Sequence, residues 1–219
     1  MSKNILVVAV HPDDETLGCG GTLLKHQSQG DNIHWLICTS LESSHKDFSR
    51  REEEIAQVKQ AYGFFTIHKL GLITTQVDRY KKSEIVKKIS DVIEAIQPEI
   101  IYLPFKSDVH SDHRDIFEAA YSCTKSFRYP YIKSVYMMET LSETEFAPST
   151  KEDSFIPNVF VDISIYMQTK LKIVQIFKSE LGEHPFPRSQ RNIKALATFR
   201  GAIAGCEYAE SFVLLKEIR

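Results

Sequence analysis

Three observations in the amino-acid sequence predict an α/β fold: a three-layer α/β/α, Rossmann-like arrangement around a mostly parallel sheet. The first is the run Ile5-Leu6-Val7-Val8-Ala9-Val10, apolar without polar alternation. That is the pattern of a central parallel strand covered on both faces. The second is the alternation of strand and helix patterns through residue 138, which argues for a parallel sheet with helices on both sides. The third is that polar, chemistry-bearing segments follow directly on strands: His11–Glu15 after the first run and His110–His113 after Ile100–Leu103. Right-handed crossovers bring such segments to one edge of the sheet. In open α/β sheets that carboxyl edge is where ligands bind, so the active site is expected there.

The elements follow in order. After the first strand, Leu17 to Gln29 reads as a helix closed by Gly30, and Ile33 to Cys38 as a second strand. A polar loop covers Thr39 to Asp47. Ser49-Arg50-Arg51-Glu52 matches a capping box, so the next helix is expected to begin there, with Ile55, Val58 and Tyr62 on its inner stripe. Thr66 to Leu70 reads as a short strand. Tyr80 to Gln97 is the clearest amphipathic helix, with Ile85, Ile89, Ile93 and Ile96 on one face and Pro98 ending it. Strand Ile100–Leu103 leads into a loop carrying Asp108 to Asp115, and a helix then runs to about Ser126. Lys133 to Met138 is a strand, Glu139 to Asp153 a polar loop and Asn158 to Val161 a short strand. Ile165–Leu181 and Ile193–Ile203 read as helices, and Phe212–Leu215 as the last strand.

At 219 residues, 42% hydrophobic and 26% charged, the chain has the size and composition of one packed domain spanning residues 1–219. A formal net charge of -2 points away from nucleic acid and anionic membrane surfaces. No apolar stretch approaches the ~20 residues of a membrane span, and the N-terminus reads as a strand rather than a signal peptide. Cys19, Cys38, Cys123 and Cys206 are scattered without a CxxC pair. A reducing, cytoplasmic setting is therefore expected. The late helices and the last strand are the candidate interface of a homo-oligomer.

The chemistry concentrates in two segments. In Val10-His11-Pro12-Asp13-Asp14-Glu15, three adjacent acids repel one another, and burying them is costly without a positive charge between them. A divalent metal supplies that charge, and histidine and carboxylate are both zinc ligands. The competing reading is a solvated turn in which Asp13 or Asp14 caps the helix. In His110-Ser111-Asp112-His113, two imidazoles three residues apart share a side if the segment opens a helix; taken alone, a capped helix start with solvated histidines explains it as well. Together the segments supply a His–Asp–His metal site with a spare acid and a spare imidazole. Three protein ligands leave a position open for water. Arg51, in the first turn of its helix and on the inner side, either aims at the same edge or pairs with Glu54 or Glu52.

These segments resemble the PIG-L/LmbE-like zinc N-deacetylases. The resemblance rests on Val10–Glu15 followed by Gly20-Gly21-Thr22, on His110–His113, and on Arg51 and Glu54 before Tyr62-Gly63. It extends to Asp162-Ile163-Ser164, Arg200-Gly201 and Tyr208–Phe212. The resemblance implies that His11, Asp14 and His113 hold the zinc and that Asp13 is the general base on its water. A protonated His110 would stabilise the oxyanion or protonate the leaving amine, and Asp112 would fix the orientation of a histidine. Arg51 would contact the substrate, at an anionic part of it, with Arg188 as a second substrate contact or else a solvated cation in a Pro-rich turn. Glu139-Thr140, His184 and Arg200 are further pocket candidates. The implied reaction is removal of an N-acetyl group from an N-acetylated amino sugar, an N-acetylglucosamine derivative carried as a small-molecule conjugate. Zinc is the implied cofactor, and iron or another divalent metal suits the same donors. Where many members carry a Gly- and Glu-containing segment, this chain has Thr39-Ser40-Leu41-Glu42-Ser43-Ser44, so the far half of the substrate is not set by the resemblance.

Two rivals remain at this stage. Gly18-Cys19-Gly20-Gly21 is Gly-rich near the first helix, as in nucleotide-binding folds, but it follows acids that would repel a pyrophosphate and lacks the GxGxxG spacing. A non-catalytic metal-binding or interaction protein on the same fold is the other, although a structural zinc has no need of Asp13 and His110.

Overall fold

The structure, a computed structural model, describes residues 2–219. One seven-stranded sheet organises them, in the order β3-β2-β1-β4-β5-β7-β6. β1 (Asn4–Ala9) is central, pairing in parallel with β2 (Asn32–Ser40) and β4 (Ile100–Leu103). β3 (Thr66–Ile73) and β5 (Ser134–Met138) extend the parallel array on either side. β7 (Ala209–Glu217) runs antiparallel between β5 and β6 (Val159–Asp162). The sheet is thus mostly parallel, with the antiparallel part confined to one side.

Residues 5–10 are fully buried, as the unbroken apolar run requires. One face of the sheet carries α3 (Lys82–Ile96) and α4 (Ser111–Ser122), where Ile85, Ile89, Ile93, Ile116 and Ala120 join Leu6, Val8 and Ile101. The other face carries α1 (Asp14–Ser28), α2 (Phe48–Tyr62) and α5 (Met167–Val174), with Val7, Trp35, Tyr62, Phe177 and Phe212 between them. α6 (Gln190–Ala204) closes that side beside β7.

Four boundaries differ from the sequence-based expectation, and each difference bears on the cleft. α1 starts at Asp14 rather than Leu17, because β1 passes into it through only four residues. α1 also kinks at Cys19 (φ -146°, ψ 19°). Past the kink, the backbone N–H groups of Gly21 and Thr22 donate to the Glu210 carboxylate at 2.8 and 2.7 Å, which caps the second half of the helix. A Cβ at Gly21 would lie 2.7 Å from Ile163, and one at Gly20 would strike the Tyr62 hydroxyl, so the glycines serve packing and not a pyrophosphate. α2 begins at Phe48 with Asp47 at its N-cap, and no side-chain cap bond forms. The Ser49–Glu52 box therefore lies inside the helix, and Glu52 reaches out to Lys69 instead. α4 begins at Ser111, with His110 as its N-cap. Finally, the pattern read as one helix over 165–181 breaks after Val174. Tight turns follow (Ile176 N to Ile173 O, 2.9 Å; Phe177 N to Val174 O, 3.1 Å), and they bury Phe177 and deliver Glu180 to the cleft.

Candidate metal centre and active-site cleft

The carboxyl ends of β1, β2 and β4 open into a cleft of about 940 Å³, counting its mouth. It is lined by His11–Asp14 and His110, by Thr39–Leu41, Phe48, Arg51 and Ile55, and by Leu141–Glu143, Glu180 and Arg188. The topology thus brings together segments that are a hundred residues apart in sequence.

His11, Asp14 and His113 each offer one donor atom to a common point. His113 Nε2 lies 3.3 Å from His11 Nδ1 and 3.4 Å from Asp14 Oδ2, and His11 Nδ1 is 3.9 Å from Asp14 Oδ2. Bond lengths of roughly 2.0–2.2 Å in a tetrahedral zinc site place its donors about 3.4 Å apart, so the triangle fits a metal of that size. The surroundings fit as well. His113 Nδ1 is 2.8 Å from Asp108 Oδ2, fixing the ring so that Nε2 faces inward. Asp108 is itself held by Thr144 Oγ1 at 2.7 Å. His11 Nε2 lies 3.4 Å from Asp112 Oδ2, and Asp112 in turn accepts from Thr75 N at 2.7 Å. Asp112 therefore touches the histidine beside it in space, a hundred residues away in sequence. Asp108 was not singled out from the sequence. An acid five residues before a ligand histidine has no periodic signature, because a loop and the first turn of α4 bring the two together.

Without a cation, this cluster is under electrostatic load. Burial, then the neighbouring Asp14, pushes Asp13 up to about 7, against the pull of Arg188. Burial likewise lifts Glu15 to about 8, even with Thr16 Oγ1 donating to it at 2.7 Å. Burial alone would lower His113, but the Asp14 and Asp108 carboxylates outweigh it and carry the imidazole up to about 9. His110 is held below its usual range by burial and then by His11. Its Nδ1 accepts from Asp112 N at 3.1 Å. Both facts favour a neutral imidazole with its proton on Nε2, not the protonated form that the family resemblance implies.

Asp13 sits apart from the donor triangle on a strained backbone (φ 139°, ψ -25°). Arg188 NH1 donates to Asp13 Oδ2 at 2.7 Å and lies 3.4 Å from Glu180 Oε2. Arg51 donates to Pro12 O at 3.1 Å and pairs with Glu54 at 3.4 Å and with the other oxygen of Glu180. Its guanidinium stands over the Phe177 ring, 5.5 Å from the centroid. Both readings of Arg51 therefore hold together: it faces the cleft and is also ion-paired. Glu180 was invisible in the sequence because a continuous helix was read through it. Glu139 and Arg200 instead make a bidentate pair (2.9 and 2.6 Å) with Ser211 beside them. Those two, Thr140 and His184 do not line the cleft, and Leu141–Glu143 take their place.

Fold and site together define an α/β protein with a His–Asp–His donor set able to hold a metal ion, and acid–base groups beside it, at the carboxyl edge of its sheet. The chain belongs to the PIG-L family: the family profile described as GlcNAc-PI de-N-acetylase matches residues 6–124, more than half of its length. The diacetylchitobiose deacetylase of Thermococcus kodakarensis is 26% identical over 219 residues, covering 95% of this chain and 81% of its own. The solved N,N'-diacetylchitobiose deacetylase from Pyrococcus horikoshii has a TM-score of 0.79 at 22% identity, over 98% of this chain and 84% of that one. GalB, the 4-carboxy-2-hydroxymuconate hydratase of Pseudomonas putida KT2440, has a TM-score of 0.76 at 17% identity, over 99% and 98%. The fold thus carries more than one chemistry, and the reaction has to be argued from the side chains.

Proposed function

We propose that the chain is an N-deacetylase that hydrolyses the acetamide of an N-acetylated amino sugar, an N-acetylglucosamine derivative, releasing acetate and a free amine. The observation that carries this reading is the tetrahedral-edge triangle of His11, Asp14 and His113 with a buried carboxylate, Asp13, beside it. Zinc suits these donors; when bound, it polarises the amide carbonyl and lowers the pKa of its water from 15.7 to about 7.

The chain's own residues do the rest. Asp13 takes the proton of the attacking water as the water oxygen bonds to the amide carbon. Arg188 occupies Asp13 Oδ2 and leaves Oδ1 to take the proton. His110, with Nδ1 engaged as the helix cap, donates from Nε2 to the carbonyl oxygen as charge develops there. Asp13 then passes its proton to the amide nitrogen, and the C–N bond breaks. Asp112 and Asp108 hold His11 and His113 in orientation. Arg51 and Arg188 contact the sugar through N–H groups their carboxylates leave unused. One domain, residues 1–219, does this work. No helix of the described residues is long and apolar enough to cross a membrane. The four free cysteines, three of them buried, suit a cytoplasmic setting.

The test is release of acetate and amine from N-acetylglucosamine and N,N'-diacetylchitobiose, with zinc and with chelator. Chelator-sensitive release from either is expected; no release from protein carrying stoichiometric zinc would overturn the reading.

A further inference from the structure

We propose that the cleft selects a neutral, hydroxyl-bearing N-acetylated amino sugar over an anionic conjugate, and that Glu180 sets this choice. The proposal rests on the deacetylase reading and narrows its substrate class.

The argument begins with the cations. Three lysine or arginine side chains line the cleft: Arg51, Lys69 and Arg188. Each is already matched by a carboxylate of the cleft. Arg51 and Arg188 share Glu180, one on each of its oxygens. Arg51 has Glu54 as a second partner, and Arg188 has Asp13. Lys69 is paired with Glu52 at the rim. The two arginine side chains are only 14% and 21% exposed, so these are not the freely exchanging pairs of an open surface. A phosphate or carboxylate entering between the guanidiniums would have to displace Glu180. It would then share the cleft with Glu52, Glu143 and the displaced Glu180 itself, with Glu54 also held against Arg51.

The uncommitted groups are mostly not cationic. Besides the Nε of the already paired Arg188, Ser142 Oγ and Glu143 Oε2 have no hydrogen-bond partner among the described residues, and both residues line the cleft. They sit on the loop after β5, where Ser142 is held at φ 74°. A hydroxyl, a carboxyl oxygen and one guanidinium N–H without partners call for a ligand rich in O–H groups, which both donate and accept. Leu17, Ile37, Leu41, Phe48 and Ile55 supply apolar surface between them, suited to the C–H face of a pyranose. On this proposal Arg51 meets a neutral rather than an anionic part of the substrate, because Glu180 already pairs with it.

The test compares methyl N-acetylglucosaminide with N-acetylglucosamine 1-phosphate, which differ at one substituent. In zinc-loaded wild-type protein, kcat/KM for the methyl glycoside should exceed that for the phosphate by about tenfold or more. Glu180→Gln keeps the shape and removes the charge; the ratio should move toward the phosphate by about tenfold, mainly through KM. Calorimetry of the same two sugars on the same proteins reads the preference without turnover. Wild-type preference for the phosphate, or an unchanged ratio in Glu180→Gln, overturns the proposal. If neither sugar is deacetylated, the deacetylase reading fails while the calorimetric ratio still decides the charge selection. If Glu180→Gln does not fold, the wild-type ratio decides it.

Discussion

Asp13 offers the sharpest test of how site and scaffold are joined. Its φ of 139° is a conformation that L side chains rarely adopt, and such a residue costs on the order of 1–3 kcal/mol. The surroundings over-determine it: Asp13 N donates to Glu15 Oε2 at 3.1 Å, and its carbonyl receives Thr16 N and Leu17 N at 3.0 and 2.9 Å. Replacing Asp13 by Ala or by Gly removes the same carboxylate and leaves Arg188 with Glu180 alone. Only glycine also relaxes the backbone. Against that relief stands the extra unfolded-state entropy of glycine, about 0.5–1 kcal/mol. Asp13→Gly should therefore be more stable than Asp13→Ala by about 1 kcal/mol, roughly 2–4 °C in Tm for a domain of this size. Urea unfolding of both zinc-loaded variants measures the difference. Equal stability would refute the claim of strain at this position. Both variants should keep their zinc and lose about 10²–10⁴-fold in kcat, as removal of a general base does. Loss of zinc from both would make Asp13 a ligand and exchange its role with that of Asp14.

Three further outcomes follow from contacts away from the reacting atoms. Asp108→Asn weakens the orientation of His113 and should lower zinc affinity about 10–100-fold without unfolding the protein, read by competition with a chromogenic chelator; unchanged affinity would remove Asp108 from the metal's support. Glu210 holds the buried Lys170 ammonium (2.7 Å), Gly21 N, Thr22 N and the Thr22 hydroxyl. Glu210→Leu should therefore cost about 3–5 kcal/mol, more than Lys170→Met, which leaves Glu210 three donors; the reverse order in urea melts would sink this account. His34 is pushed down to about 4 by burial and then by His68, with Nε2 unpartnered. Its unfolded form titrates near 6.5, so between those values the unfolded state binds one more proton, and stability falls as pH drops by up to about 1.4 kcal/mol per pH unit. His34→Gln should remove that slope from wild-type stability measured between pH 6.5 and 4.

The parts of this molecule that read directly from sequence are those with a local cause. The buried run before His11 could only be a central strand, and the strand–helix alternation then fixed which edge would receive His11, Arg51 and His110–His113. That edge called for a His–Asp–His site with an acid and an imidazole to spare; the choice of His11, Asp14 and His113 came from the family resemblance, and their donor atoms converge. What stayed hidden depends on contacts between distant segments. Glu180 reaches the cleft because the helix of α5 breaks to bury Phe177 under Arg51, and helical periodicity cannot foresee such a break. Glu210 caps a kink inside α1 from a strand nearly two hundred residues away. The Ser49–Glu52 box failed because a turn from His45 to Phe48 already starts α2 (Phe48 N to His45 O, 3.0 Å), which makes the local signal redundant.

The titrating groups of the cleft also say how metal and stability are coupled. Asp13 and Glu15 are held up to about 7 and 8, and His113 up to about 9. Each therefore keeps its proton in the folded, metal-free protein at pH values where the unfolded chain has released it. With more protons bound when folded, metal-free stability must fall as pH rises through the window from about 4 for the acids, and from about 6.5 for His113, to those raised values. A divalent ion at the triangle takes the place of the His113 proton and favours the ionised form of Asp13 beside it, so it competes with protons. The Tm gained on adding zinc to chelator-treated protein should accordingly be larger at pH 8 than at pH 5. An equal or smaller gain at pH 8 would mean that the ion does not bind where these carboxylates and imidazoles converge.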